Sequence, residues 1–157
     1  MSRVLIIAYG NPLRSDDAVA WRAAEILQTK VSPDVEIRTL HQLGPELADS
    51  IRGCELVVFV DAASAPGTAG EIQISELTTA AGECTNPPAF YHSVSPAAVL
   101  GLAQQVYGAE PRTFCATVIG ENFSHGEGLS PRVQASLPAL VRRIEDLIQT
   151  SLRNQNS

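Results

Sequence analysis

The stretch RVLIIAYGNPLRSDDAVAW, residues 3–21, decides the fold of this chain. After Arg3 the run to Tyr9 is apolar without a polar alternation, the pattern of a short strand covered on both faces. Gly10-Asn11-Pro12 then breaks the strand, and an apolar spacing suited to a helix begins near Asp17. Strand, turn and helix in that order are the opening unit of an α/β fold. Two adjacent carboxylates, Asp16 and Asp17, stand where the helix begins. One would be ordinary there, because a carboxylate accepts from unpaired backbone N–H groups and complements the helix dipole. A pair at the tip of such a unit calls for a second explanation.

Outward from this unit the same alternation continues. The pattern predicts strands at about 3–9, 35–41, 55–61, 70–76 and 112–119, and helices at about 17–29, 45–52, 96–108 and 131–152. Ser95-Pro96 and Ser130-Pro131 each place a capping serine before a proline suited to the first helical position, which makes them the sharpest boundaries. The fourth strand is joined to the third only by AASAPGTA, too short for a parallel crossover, so it is expected to run antiparallel near an edge. The predicted architecture is α/β, a three-layer sandwich with a five-stranded, mostly parallel sheet flanked by helices. One domain is expected over 1–157, with a tail that frays from about 151.

Composition narrows the function. Eleven Lys and Arg against seventeen Asp and Glu give a formal charge of −6 with no basic cluster, which argues against nucleic acid or an anionic membrane as partner. The apolar N-terminal run is too short for a signal-peptide core or a membrane span, so a cytoplasmic location is expected. Cys54, Cys84 and Cys115 are odd in number and widely spaced, and the plain reading of each is a free thiol. A dinucleotide site is disfavoured after the first strand. GNPLRSDD has one glycine where the phosphate-binding fingerprint needs three, and two carboxylates where a pyrophosphate needs positive potential. No G-x-S-x-G elbow is present either, and no cysteine sits on a strand-to-helix turn.

The remaining chemistry is carboxylate with imidazole. Asp16 and Asp17 follow the first strand, Asp61 ends the third, and open α/β sheets bind ligands outside the carboxyl ends of their parallel strands. Each has a plainer alternative, helix capping for Asp16 and Asp17 and a bond to the following loop for Asp61. His92, in NPPAFYHSVSP, joins this acidic rim only if the loop of residues 77–94 returns to it; His41 and His125 are weaker candidates. Two carboxylates and a histidine with open positions suit a borderline divalent ion such as nickel, zinc or iron. Without H-E-x-x-H or a close histidine pair, a transient or partner-supplied ion fits better than a permanent zinc.

Four segments in order and spacing, GNPLRSDDAVAWRAAEIL, LVVFVDAASAPGTAGEI, YHSVSPAAVLGLAQQVYG and IGENFSHGEGLSPRVQASLPALVRRIEDLI, resemble the nickel-iron hydrogenase maturation proteases. The resemblance implies a cytoplasmic endopeptidase, aspartic-type or metal-assisted, that removes the C-terminal extension of a hydrogenase large-subunit precursor once nickel is inserted. It implies that Asp17, Asp61 and His92 bind the metal and that Asp17 and Asp61 are catalytic. Nickel would come with the substrate, other divalent ions such as zinc or cadmium could occupy the site, and the protein would be a monomer with the precursor as its partner. A non-enzymatic module that binds nickel or the precursor, or a protease for another precursor, are the alternatives. The chain departs from the family pattern at Ala18, where a glycine commonly follows the acidic pair, and in GENFSHGEG, where Gln-Pro often follows the glycine.

Overall fold

The computed structural model describes residues 3–79 and 94–155. Five strands form one sheet: β1 (Val4–Tyr9), β2 (Val35–Leu40), β3 (Leu56–Ala63), β4 (Ile72–Leu77) and β5 (Arg112–Ile119). Their order is β2-β1-β3-β5-β4, with all neighbours parallel except the edge strand β4, which runs antiparallel to β5. The short connection after β3 thus has the expected consequence. Among the described residues four α-helices cover the sheet: α1 (Val19–Gln28), α2 (Leu47–Ile51), α3 (Pro96–Tyr107) and α4 (Pro131–Gln155). Among the described residues no helix is long and apolar enough to cross a membrane.

Alternation along the strands builds two cores. Val4, Ile6 and Ala8 of β1 with Val58 and Val60 of β3 face α1 and α4, which bury Val19, Ala23, Leu27, Leu137, Leu140 and Ile144. Leu5, Ile7, Val57 and Phe59 face the other way, against Leu47, Ile51, Val99 and Leu100 of α2 and α3. The chain runs from β1 to β2 on one side and then crosses to β3 on the other. The carboxyl ends of β1 and β3 therefore flank a topological switch point, the place where an open α/β sheet leaves a crevice.

The helix after β1 starts differently from the expectation. Residues Ser15–Ala18 form a single 3-10 turn, and α1 begins only at Val19. Neither carboxylate caps it. Asp16, with no exposed surface, instead accepts four hydrogen bonds from the far end of the chain. The N–H groups of Glu121 and Asn122 donate to Oδ2 at 2.9 and 3.0 Å, the Ser130 hydroxyl to Oδ2 at 2.6 Å and the Ser130 N–H to Oδ1 at 2.7 Å. Of the two expected capping serines, Ser95 does accept from the Ala98 N–H at 3.1 Å, whereas Ser130 gives its hydroxyl to Asp16. Burial works against the Asp16 charge, but the hydrogen bonds from Ser130, Glu121 and Asn122 outweigh it and hold the carboxyl below its ordinary pKa.

Backbone bonds extend this clamp. Ser15 N–H donates to the Gly126 carbonyl at 3.0 Å, Asp16 N–H to Asn122 at 2.9 Å and Gly126 N–H to Leu13 at 2.8 Å. The Ser15 hydroxyl reaches the Ser124 carbonyl at 2.8 Å, and the serine is held in left-handed backbone at φ +50°. The loops after β1 and after β5 are thus one bonded platform. At its inner edge Gly10 has φ +147°, and a Cβ there would overlap the Asp17 carbonyl oxygen. Only glycine lets the turn pass this close to residue 17.

Two outcomes are expected. Asp16→Asn replaces an acceptor by an amide that meets N–H groups with its own, so urea unfolding is expected to show a loss of roughly 2–4 kcal/mol. Because the folded pKa of Asp16 is depressed, its contribution is present above the unfolded value of about 4 and is lost as pH falls through the folded value. The stability difference between parent and Asp16→Asn should therefore shrink on acidification from pH 5 toward roughly 3. Gly10→Ala combines a disfavoured φ with a backbone overlap and should cost about 2 kcal/mol or more in the same measurement.

Candidate active site

The switch-point crevice holds Asp17 and Asp61. Asp17 leaves the 3-10 turn toward β1, where its Oδ2 accepts from the Asn11 N–H at 2.7 Å. Asn11 itself closes a local turn, its Oδ1 accepting from Leu13 N–H at 2.9 Å. The Gly-Asn turn thus has two uses: glycine admits residue 17, and asparagine orients its side chain. Asp61 lies near the end of β3 on the face of α2 and α3, half-buried, with Oδ1 accepting from the Ala62 N–H at 2.7 Å.

Electrostatics at Asp61 differ from those at Asp16. Burial pushes its carboxyl up to about 7, helped by the like charge of Asp17, while the Ala62 N–H and the Tyr9 hydroxyl hold it down only in part. Tyr9 is raised in turn by burial and by the charges of Asp61 and Asp17, so its phenol stays protonated. Cys115, opposite Phe59 in the β3–β5 register, is pushed up to about 11 by burial and by Asp61. It is a thiol at neutral pH and no nucleophile. The crevice is therefore a place where negative charge is under-compensated, which a cation or a proton would relieve.

The structure brings together Asp17 and Asp61 and removes Asp16 to the platform. His92 lies outside the described residues, as do Cys84 and most of the 77–94 segment whose return to the rim the sequence reading requires. His125 is exposed on the platform loop, and His41 is exposed just beyond β2 with its ring edge-on to Trp21 at 5.3 Å. Among the described residues no group of three or more His, Cys, Asp or Glu side chains is arranged to hold a metal ion. Two carboxylates alone leave most of a coordination shell to be filled from outside. Tyr9 and Cys115 were missed as neighbours of Asp61. Strand alternation carried the signal, since Leu5 and Ile7 share a face with Tyr9, and Asp61 shares one with Val57 and Phe59.

No family model and no curated protein matches the chain. Solved structures do, over nearly the whole length. The hydrogenase maturating endopeptidase HybD from E. coli is 25% identical with a TM-score of 0.75, covering 95% of this chain and 93% of that one. A solution structure of an endopeptidase from Escherichia coli is also 25% identical at a TM-score of 0.75, with 98% and 93% covered. The NiFe hydrogenase maturation protease HybD from Thermococcus kodakarensis shares the fold at a TM-score of 0.72 and 24% identity, with 92% and 98% covered. These neighbours support a peptidase role. The resemblance read from four sequence segments is thus met in three dimensions, since hydrogenase maturation endopeptidases are among the structures this chain is similar to.

Proposed function

We propose that the chain is an endopeptidase that removes the C-terminal extension of a nickel-iron hydrogenase large-subunit precursor after nickel insertion. The observation that carries this reading is the pairing of Asp17 and Asp61 at the switch point of a fold shared with HybD. Nickel arrives held by the precursor, and Asp17, Asp61 and His92 take up its open positions. Carboxylate oxygens fit such an ion.

The raised carboxyl of Asp61 supports gating by that ion. Ionised Asp61 bears the cost of burial and of Asp17 beside it, and an incoming cation offsets both. Binding energy from the metal is therefore available only with loaded substrate, and it fixes the C-terminal peptide against the two carboxylates. Hydrolysis then needs water to attack the scissile carbonyl. Either the ion polarises that oxygen or a carboxylate of the pair takes the proton of the water.

Incubation with precursor, followed by mass measurement of the product, tests the reading. Nickel-loaded precursor should lose its C-terminal peptide, and nickel-free precursor should remain intact; equal cleavage of both removes the metal gate. Binding of the loaded form with no mass change would make the chain a binding module. Asp61→Asn should abolish cleavage while the melting temperature stays within a few degrees of the parent or rises, because the substitution removes a charge that burial disfavours. Retained cleavage in that variant would reduce Asp61 to a structural residue.

A further inference from the structure

We propose that the outer edge of β2 is a self-complementary interface, through which two copies of the chain join edge to edge as a symmetric dimer in place of the monomer the resemblance implies. β2 ends the sheet on one side, and among the described residues no strand pairs with its outer edge. The Gly10 N–H donates to the Leu40 carbonyl at 3.0 Å, so Leu40, and with it Arg38 and Glu36, direct their backbone groups at β1. By alternation Val35, Ile37 and Thr39 direct theirs outward. The Val35 N–H is already given to the Ser32 carbonyl at 3.0 Å. Two N–H groups, of Ile37 and Thr39, and the three carbonyls of Val35, Ile37 and Thr39 therefore make a ladder that a further strand can take up.

The charges on this strand choose its occupant. A two-fold dimer through such an edge pairs the strands antiparallel, and outward residues must face outward residues, so the register can shift only by two residues at a time. With Ile37 opposite its own copy, Thr39 lies opposite Val35 and Arg38 opposite Glu36. Ile37 then exchanges hydrogen bonds with its copy, and each Thr39 N–H donates to a Val35 carbonyl. Slipping by two residues sets Glu36 against Glu36 in one direction and Arg38 against Arg38 in the other, and like charges directly opposite are destabilising. Glu36-Ile37-Arg38 is thus its own complement in one register. Both charged side chains are within reach of a second copy, 41% and 35% exposed. They are also held in place, since Arg38 donates to Glu36 at 2.6 Å and to the Ser50 hydroxyl at 2.8 Å. On the other face of the strand Val35 and Ile37, with Val31 and Pro33, border an open groove of about 410 Å³, and Ile37 meets its copy at the rim of it. One strand and one shallow groove make a small interface, so the dimer is weak and forms with rising concentration. Because β1 and β3 run parallel to β2, the two crevices open at opposite ends of the joined sheet.

Sedimentation velocity of the full chain, from low micromolar to near-millimolar concentration, tests this. The parent should pass from the mass of one chain toward that of two. Glu36→Arg and Arg38→Glu each set like charges across the two-fold and should stay monomeric. An equimolar mixture of these two variants sets two arginines against two glutamates and should recover the mass of two chains, which a misfolded variant could not do. Thr39→Pro removes an outward N–H and leaves the ladder to β1 intact, so it should weaken association by roughly tenfold or more. A parent that keeps the mass of one chain throughout overturns the inference. So does a dimer that survives both single charge changes, or a mixture of the two variants that remains monomeric.

Discussion

The buried carboxylate of Asp16 is the constraint on which the rest of the site depends. An anion with no exposed surface is tolerable only when every lone pair facing the interior meets a donor, and the platform loop supplies four. Those donors lie 105 to 114 residues away in sequence, so the bond set ties the turn after β1 to the loop after β5 and to the start of α4. β3 lies between those two strands in the sheet. Locking the flanking loops together over its end fixes where Asp17 stands relative to Asp61. The left-handed backbone of Ser15 is sustained by the same clamp.

Asp16 and Asp61 thus have opposite electrostatic fates. Hydrogen bonds overcome burial at Asp16 and depress its pKa, whereas Asp61 has too few donors and a second carboxylate nearby, so burial prevails and its pKa rises. The first arrangement stabilises the fold. The second costs stability, a cost natural proteins carry where a site must bind charge or move a proton. A crevice built this way is poorly matched to itself and better matched to a cation carried by something else. This is the physical content of the proposed dependence on loaded substrate.

Much of this was legible in the sequence. Strand periodicity placed all five strands within about two residues, Ser95-Pro96 marked the start of α3, and the short link after β3 gave the antiparallel edge. The Gly-Asn turn and the Asp at the end of β3 named Asp17 and Asp61 as candidates. The start of α1 and the end of α4 were less secure. The periodic pattern does not distinguish a 3-10 turn from the first turn of α1, and α4 continues to Gln155 where the pattern predicts an end near 152. His92, the third proposed ligand, lies outside the described residues, so its place beside the two carboxylates rests on the sequence and the family resemblance alone.

Local physics therefore determined which elements form and in what order, because alternation, caps and short links act over a few residues. Which carboxylate does what was decided only by tertiary structure. Asp16 and Asp17 are the same residue type side by side, and successive residues of a 3-10 turn point about 120° apart. One is thereby sent to N–H groups beyond residue 120 and the other to the crevice beside β3. The Asn11 N–H claims Asp17 locally, but the donors that claim Asp16 and the strand that brings up Asp61 arrive from distant parts of the chain.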